Sequence, residues 1–411
     1  MLTCNTLTLI YVIVFVSLSM MWPRIYNLSF ILEKIMDAST KFTRMSSLRE
    51  FSVVFTDRSL NSMSTGFQEV MRGLHSGLTD VYNASSCVII PGGGSYAMEA
   101  VARQFARNEK VLVVRNGWFS YRWTQIFDQG VRPAHAEIVC AQPDCADADQ
   151  QFSPAPLDDI IARIHDEKPR LVVSPHVETS AGLLMPDHYL SAIAQAAHDV
   201  GALFVLDCVA SGTLWVDMKD IGVDVLITAP QKGWTSTPCA GVVMMSDAAV
   251  DRLQDTDSDS FVLDLKKWHQ IMTAYLNDGH AYHATMPTDG LAQFYDTMLE
   301  MKAFGFARAK EAQIELGTKL RQIMEQRGYK SLAAEGFKAP SVIVSHTSRD
   351  EMKTGAAFAA EGMQIAAGVP LECGESADFK TFRIGLFGLD KLANIEGTIS
   401  DFCDVLDRVT A

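Results

Sequence analysis

Short apolar runs, rich in β-branched residues, recur along much of this sequence and are separated by longer amphipathic stretches. The runs are CVIIP (87–91), KVLVV (110–114), RLVVS (170–174), ALFVLD (202–207), VDVLITA (223–229) and GVVMMS (241–246). Continuous runs of this kind are typical of strands buried on both faces of a mostly parallel sheet, with helices in the crossover connections. The pattern therefore predicts an α/β fold, with helices over 96–107 and 188–200.

The part of the sequence after Pro287 is richer in helix-forming residues. A stretch over 290–327 is rich in Ala, Leu, Met, Glu and Lys, and it predicts a long helix. Apolar runs at 341–346 and 382–388 predict further strands, and a terminal helix is expected over 391–409. These elements predict a second, smaller α/β domain.

The length of the chain also predicts more than one domain. At 411 residues it is longer than one ordinary core supports, so two globular domains are expected. The change in sequence pattern places a large domain at 48–295 and a small domain at 296–411. Residues 1–47 are an N-terminal extension outside both.

The N-terminal extension contains an uncharged, mostly apolar segment at 7–22. This segment is slightly shorter than the roughly 20 residues that span a bilayer, and no Lys or Arg precedes it. Three interpretations remain: a membrane anchor, a cleaved signal peptide, or a segment outside the working protein, with translation starting at Met36 or Met45. A cytoplasmic enzyme is expected unless the segment is an anchor.

Charge and cysteine usage exclude several classes of partner. A formal net charge of −14 argues against nucleic acid as a partner, because phosphate backbones are bound by clustered Lys and Arg. The eight cysteines include no C-x-x-C pair, so no zinc site, no other metal site and no thioredoxin-type motif is predicted. Reduced thiols are expected, because a chain of this length builds its core without disulfides.

A glycine-rich turn joins the first predicted strand to the helix after it. Gly92, Gly93 and Gly94 precede Ser95 at the start of that helix. Glycines allow a tight backbone turn, and the N–H groups at a helix start attract an anion such as phosphate. The spacing matches neither a P-loop nor the G-x-G-x-x-G dinucleotide pattern. Phosphate binding and a plain strand-to-helix connection both remain open at this point.

Two charged residues stand at the ends of apolar strands. Asp207 ends ALFVLD, where a buried carboxylate is costly unless it meets a cation or donor. Lys232 follows 25 residues later, in a turn between two apolar strands. Because ligands of doubly wound sheets bind at the carboxyl ends of strands, both residues are candidates for one site. Burial lowers the pKa of an amine, and a neutral amine can attack an aldehyde.

The order of these motifs resembles that of fold-type I pyridoxal-phosphate enzymes, and specifically the class V aminotransferases such as the alanine–glyoxylate and serine–glyoxylate enzymes. The resemblance runs from about Phe51 to the C-terminus. It implies a transaminase in which Lys232 carries pyridoxal 5′-phosphate as a Schiff base and moves a proton. Asp207 would pair with the pyridinium nitrogen and make the ring an electron sink.

The resemblance also assigns the remaining cofactor contacts. Val209 would pack on one face of the ring, and Phe119, or Trp118 one position earlier, on the other. Thr179 or Ser180 would contact the side of the ring that carries the hydroxyl group. The phosphate would be held by Gly93, Gly94, Ser95 and Gln231.

Three further residues match family positions for the substrate and for a second subunit. Arg383, in TFRIGLFG, would bind the substrate carboxylate, since a planar guanidinium makes two parallel hydrogen bonds to it. Tyr282 and Thr285, in YHATMPTDGL, would reach the phosphate of a neighbouring subunit. The resemblance therefore implies a homodimer with a shared active site.

One segment departs from the family. Relatives have a Gly- and Pro-rich segment near the substrate, whereas residues 51–64 contain neither residue. The substrate pocket is therefore expected to differ, and alanine, serine, β-amino acids and aminophosphonates all remain candidate donors, with pyruvate or glyoxylate as acceptor.

Two other functions were considered. A cysteine desulfurase or related lyase needs a nucleophilic thiol near the carboxylate-binding arginine, and Cys373 lies ten residues before Arg383. The sequence around Cys373 and Lys232 lacks the histidines typical of those enzymes. A non-catalytic, membrane-tethered protein is contradicted by the presence of Lys232, Asp207 and Arg383.

Overall fold

A computed structural model describes residues 48–145 and 149–410 of the chain. The apolar segment at 7–22 lies outside the described residues, and so do Met36 and Met45. From Ser52 onward the chain forms one compact unit. None of the helices in the described residues is long and apolar enough to cross a membrane.

The elements follow the predicted alternation of strands and helices. The strands are β1 (Ser86–Pro91), β2 (Lys110–Arg115), β3 (His135–Cys140), β4 (Gln142–Pro143), β5 (Phe152–Ser153), β6 (Leu171–Pro175), β7 (Val177–Glu178), β8 (Leu183–Leu184), β9 (Leu203–Asp207), β10 (Val225–Thr228), β11 (Ala240–Met245), β12 (Val342–His346), β13 (Ala366–Ala367) and β14 (Thr381–Gly385). The α-helices are α1 (Thr65–Tyr82), α2 (Gly94–Phe105), α3 (Trp118–Ile126), α4 (Leu157–Glu167), α5 (Asp187–Asp199), α6 (Met218–Ile221), α7 (Asp247–Gln254), α8 (Leu265–Leu276), α9 (Thr288–Phe304), α10 (Phe306–Gln326), α11 (Asp350–Lys353), α12 (Ala356–Ala360), α13 (Leu389–Ala393) and α14 (Ile395–Thr410). A π-helical turn, Phe127–Val131, extends α3.

Seven strands form the main sheet, in the order β1-β11-β10-β9-β6-β2-β3. The pairs β10–β9, β9–β6, β6–β2 and β2–β3 are parallel, and β11 pairs antiparallel with both β1 and β10. The central strands β6, β9 and β10 are buried along their whole length. The predicted fold class, a large and mostly parallel α/β sheet, is confirmed.

A second sheet lies nearer the C-terminus, in the order β12-β14-β13. Its strands pair antiparallel, and β12 and β14 lie close to the predicted positions. Helices α10 and α14 contribute apolar side chains to a separate core cluster beside it. The two sheets thus fall in the predicted large and small parts of the chain, while the boundary at 295/296 stays a prediction.

The long helix predicted over 290–327 is two helices. Gly305 separates α9 from α10 with φ 98° and ψ 121°, a conformation that only glycine adopts readily. The break redirects the chain so that α10 packs on the second sheet, where a Cβ at Gly317 would collide with the carbonyl oxygen of Pro340. The helix-forming composition is continuous across the break, and for that reason the prediction was wrong there.

Candidate active site

The carboxyl ends of β6 and β9 meet the starts of α2 and α3 at one edge of the main sheet. They enclose a cavity of about 220 Å³. The predicted site residues that line it are Gly94, Ser95, Phe119, Thr179, Asp207, Val209, Gln231 and Lys232. Residues separated by more than 100 positions in the sequence are thus brought together where ligands of such sheets bind.

The other predicted residues lie outside this lining. Gly93 immediately precedes α2 as its N-cap residue. The guanidinium carbon of Arg383 lies 5.4 Å from the centre of the Phe119 ring, so Arg383 borders the cavity. Tyr282 is 62% exposed, and its hydroxyl lies 3.1 Å from that of Thr285. In a single chain, Tyr282 and Thr285 are not brought to the cavity.

The glycine-rich turn forms an anion cradle at the start of α2. No side chain caps this helix, and the N–H groups of Gly94 and Ser95 have no acceptor among the residues that the structure describes. A Cβ at Gly94 would lie 2.6 Å from a methyl carbon of Val209, so only glycine fits there. The buried amide oxygen of Gln231 also has no partner in the described protein. Open N–H donors at a helix start fit a phosphate group.

Arg122 adds a positive charge to this cradle. Its Nη1 donates a hydrogen bond of 2.7 Å to the hydroxyl of Ser95, and its guanidinium carbon lies 5.2 Å from the centre of the Phe119 ring. The sequence analysis missed Arg122. The signal was its spacing from Phe119, because residues three apart on a helix share a face.

Asp207 lies at the end of the central strand β9. Its Oδ1 accepts a hydrogen bond of 2.9 Å from the N–H of Val209, and the residue is only 9% exposed. Burial raises the pKa of this carboxyl from 3.8 to about 6; Glu178 adds to the rise, and the Val209 N–H, Lys232 and Arg122 oppose it. A carboxylate in this position suits a ring nitrogen that must stay protonated.

Lys232 lies in the turn after β10, and its Nζ is 5.1 Å from the centre of the Phe387 ring. Burial lowers its pKa, the carboxylate of Asp207 opposes this effect, and Arg383 and Arg122 lower the pKa further. The next residue is Gly233, where a Cβ would collide with the carbonyl oxygen of Gly212. The close approach of these two backbone segments holds the turn that presents Lys232.

The carboxylate of Glu178 holds the start of α3 in place through hydrogen bonds. Its fully buried carboxylate accepts hydrogen bonds from the N–H groups of Phe119, Ser120 and Ser180 and from the hydroxyls of both serines. Gly117 has φ 156°, and a Cβ there would collide with the Ser180 hydroxyl. The glutamate thus fixes the ring of Phe119 at the cavity. Glu178 was not among the site residues predicted from the sequence.

The structure also distinguishes between the alternative residues that were predicted for two of the cofactor contacts. Phe119 lines the cavity, whereas Trp118 packs against Tyr121 with ring centres 5.5 Å apart. Thr179 lines the cavity, whereas the Ser180 hydroxyl is bonded to Glu178 and to the N–H of Trp118. Geometry therefore favours Phe119 and Thr179 as the cofactor contacts.

A lysine of lowered pKa, a strand-end aspartate and an anion cradle on this sheet define a fold-type I enzyme dependent on pyridoxal 5′-phosphate. The chain matches the aminotransferase class-V family over residues 40–377 and belongs to that family. It is therefore a pyridoxal-phosphate-dependent aminotransferase. The prediction of the cofactor and of the enzyme class is confirmed, and the desulfurase alternative is not favoured.

Curated relatives and solved structures agree with this assignment. The chain is 27% identical over 337 residues to a 2-aminoethylphosphonate–pyruvate transaminase of Paraburkholderia phymatum, covering 80% of this chain and 86% of the relative. A second such transaminase, from Paraburkholderia xenovorans, is 28% identical over the same shares. The fold is similar to that of an alanine–glyoxylate aminotransferase from Nostoc sp., with a TM-score of 0.73, 21% identity, and coverage of 86% of this chain and 89% of the other.

Replacing Asp207 by Asn is expected to stabilise the cofactor-free protein. The folded pKa of Asp207 is raised, so its contribution to stability is complete below pH 3.8 and is lost as the pH rises through about 6. Asn cannot ionise, so the variant avoids this loss of stability. The pKa shift corresponds to a gain in the free energy of unfolding of about 3 kcal/mol at pH 8 and roughly half of that at pH 5. Urea unfolding of the cofactor-free protein at the two pH values measures the difference.

The matched control is Asp128→Asn, which alters an exposed aspartate on the π-helical turn. We expect Asp128→Asn to leave the free energy of unfolding unchanged. Only Asp207→Asn should greatly lower the affinity for the cofactor. Equal stability of Asp207→Asn and wild type at pH 8 would show that the carboxylate is not penalised by burial.

Replacing Glu178 by Gln is expected to weaken both stability and cofactor binding. An amide nitrogen would face the N–H donors of Phe119 or Ser120, leaving buried donors unpaired at a cost of about 2–4 kcal/mol. Thermal unfolding and cofactor titration measure the two effects. The exposed Glu69, on α1, supplies the control Glu69→Gln. Unchanged cofactor affinity in Glu178→Gln would mean that Phe119 is held by other contacts.

Proposed function

We propose that this enzyme transfers the amino group of a small aminophosphonate, 2-aminoethylphosphonate, to pyruvate. The curated relatives that cover most of the chain are transaminases of this donor and acceptor. Both substrates carry one acidic group at one end and the reacting amino or keto group near the other. A single cationic residue near Lys232 can bind the acidic group of each of them in turn.

The state of Arg383 is the observation that carries this proposal. The residue is 9% exposed, and its Nε donates a hydrogen bond of 2.7 Å to the carbonyl oxygen of Ala367. Burial lowers its pKa, the more distant Glu178 opposes this effect, and no carboxylate lies within 4 Å of the guanidinium among the described residues. A buried, oriented guanidinium without an anionic partner suits a substrate carboxylate or phosphonate, which it can bind through two parallel hydrogen bonds.

The residues of the cavity support the chemistry of transamination. Pyridoxal 5′-phosphate, when bound, supplies an aldehyde that links to the amine and a ring that accepts the electrons released at the substrate Cα. Ser95, Gln231 and Arg122, with the N–H groups of Gly94 and Ser95, would hold its phosphate. The carboxylate of Asp207 would keep the ring nitrogen protonated.

Lys232 would then act on the substrate proton. With its pKa lowered by burial, Nζ can take the proton from the substrate Cα and return it to the neighbouring carbon of the cofactor. Phe119, fixed by Glu178, and Val209 would pack on opposite faces of the ring and keep it aligned with Asp207. Cys373 does not line the cavity, so a thiol nucleophile has no place in this scheme.

A product assay tests the proposed substrates. We expect purified enzyme, saturated with cofactor, to form alanine from pyruvate with 2-aminoethylphosphonate at least about tenfold faster than with serine or β-alanine at equal concentration. The phosphonate carries more negative charge and one more acceptor oxygen than their carboxylate, and a stronger charge-assisted contact of about 1.4 kcal/mol corresponds to this factor. Lys232→Ala should abolish the reaction. Arg383→Lys should raise KM for donor and acceptor together, because a lysine cannot make the bidentate contact.

Two results would overturn the proposal. If serine or β-alanine is the preferred donor, the assignment to aminophosphonates is wrong although transamination stands. If Arg383→Lys leaves both KM values unchanged, another group binds the acidic end of the substrates.

The resemblance to class V enzymes further suggests a homodimer with a shared active site, and we include this in the proposal. Tyr282 and Thr285 do not reach the cavity of their own chain. The same surface exposes Phe261, at 71%, and its ring packs on that of His283 at 4.5 Å. Such a cluster of exposed aromatic side chains is suited to a subunit interface. Tyr282 and Thr285 would then reach the phosphate in the partner subunit.

Mixing two inactive variants tests this shared site. Lys232→Ala lacks the reactive amine, and the double variant Tyr282→Ala, Thr285→Ala lacks the contacts to the partner. In a mixed dimer, one site has an intact lysine together with intact Tyr282 and Thr285, so activity should return on mixing and subunit exchange. Each variant mixed with itself is the control. No recovery in mixtures shown by native mass spectrometry to contain the mixed dimer would contradict the shared site.

A further inference from the structure

Two cysteines that the aminotransferase chemistry does not use lie against each other beside the active site. Cys140 is the last residue of β3, the edge strand of the main sheet. Cys373 lies in the segment that leads to β14, ten residues before Arg383. Both are partly exposed, so both thiols are accessible to small molecules.

Arg115 is in contact with both cysteines. It pairs with Cys140 across the parallel strands β2 and β3, and neighbouring strands are about 4.8 Å apart. The sulfur of Cys373 lies 3.5 Å from the carbonyl oxygen of Arg115, and Nη1 of Arg115 donates to the carbonyl oxygen of Glu372 at 3.3 Å. Cys373 also packs in a cluster that contains Ala141, the residue after Cys140. The two thiols are therefore neighbours across the join between the sheet edge and this segment.

The surroundings favour a thiolate at Cys140. A hydrogen bond from the thiol of Cys373 lowers the pKa of Cys140 to about 6; burial opposes the shift, and the Arg115 guanidinium adds to it. The pKa of Cys373 is raised by this same interaction and by its own burial. The result is one reactive thiolate with a protonated thiol next to it. In comparison, burial raises the pKa of the inner cysteines Cys87 and Cys208.

We propose that Cys140 and Cys373 are an oxidative modification site, in which Cys140 is the peroxide-reactive thiol and Cys373 the resolving thiol. The geometry that supports this is a sheet-edge cysteine and a loop cysteine held against one arginine. Elsewhere in the described residues, Cys87 and Cys208 are buried in the core of the main sheet, where a reagent has no access.

The reaction balances with hydrogen peroxide as the oxidant. The Cys140 thiolate attacks one peroxide oxygen, the O–O bond breaks, and the released hydroxide takes a proton to become water, leaving a sulfenic acid. The sulfur of Cys373 then attacks the sulfur of Cys140, its thiol proton joins the departing hydroxyl, and a second water leaves. Two thiols are oxidised to one disulfide, and one peroxide is reduced to two waters.

A disulfide here would join the edge of the main sheet to the segment that carries Arg383. Arg115 also contacts α3, through a hydrogen bond of 2.9 Å to the Thr124 hydroxyl and by stacking on the Tyr121 ring at 4.7 Å. The modification site is therefore connected on one side to α3, the helix that carries Phe119, and on the other to the segment that leads to Arg383. Oxidation is expected to lower transaminase activity, because the disulfide would tie the segment before Arg383 to the edge of the main sheet.

Peroxide titration of the cofactor-loaded enzyme tests the site. After treatment, non-reducing peptide mapping should find the Cys140 and Cys373 peptides linked. Cys373→Ser should leave Cys140 as a sulfenic acid that dimedone traps, and Cys140→Ser should abolish the link. The exposed Cys145 is an internal comparison, and Cys140 should react roughly tenfold faster than it at pH 7. Cys145→Ser is the matched control and should retain the link.

The outcomes are decided without an activity assay, so they are independent of the proposed substrates. A link from Cys140 to Cys145, or a Cys140 rate no higher than that of Cys145, would overturn the proposal. So would unlinked peptides in wild type after all of Cys140 has reacted. Once the link has formed, reduction with a thiol reagent should separate the Cys140 and Cys373 peptides again.

Discussion

The rest of the site depends on a carboxylate that the fold keeps buried at the end of its central strand. Asp207 ends β9, which is flanked by β6 and β10, so no solvent reaches it from the sides. Its raised pKa shows that the folded protein holds this group against its preference for water. Such a cost is typical of functional sites, where stability is lowered to keep a reactive group in place. Lys232 lines the same cavity, and the carboxylate of Asp207 raises its pKa against the effect of burial.

A second buried carboxylate has the opposite character. Glu178 is even more buried than Asp207, but five hydrogen bonds satisfy it, and all of them come from neighbouring turns. It therefore acts as a structural anion that fixes the start of α3. The carboxylate of Asp207 is left with unfilled hydrogen-bonding capacity, which a ligand can use. The carboxylate of Glu178 has its hydrogen bonds filled and supports the structure around it. This division explains how the aromatic ring of Phe119, in the first turn of α3, is held in place at the cavity.

The sequence predicted the elements whose signal is local. Buried strands have continuous apolar runs, and glycine turns and strand-end charges are visible beside them, so the sheet, Lys232 and Asp207 could be predicted. Gly305 could not be recognised as a break, because helix-forming residues surround it on both sides. Arg122 and Glu178 were missed because their roles follow from contacts across 27 and 58 positions in the chain. The predicted roles of Tyr282 and Thr285 need a second chain and stay predictions.

Electrostatics links the two substrates to the cofactor site. Lys232, Arg122 and Arg383 are the basic residues of the site, and Asp207 and Glu178 are the acidic ones. The guanidinium carbons of Arg122 and Arg383 lie 5.2 and 5.4 Å from the centre of the Phe119 ring. Both arginines lower the pKa of Lys232. An anion bound at either arginine reduces this effect and raises the pKa of the amine. In the proposed mechanism, the acidic group of a substrate would thus adjust the basicity of the lysine that accepts its proton, so that binding and proton transfer would be coupled through charge.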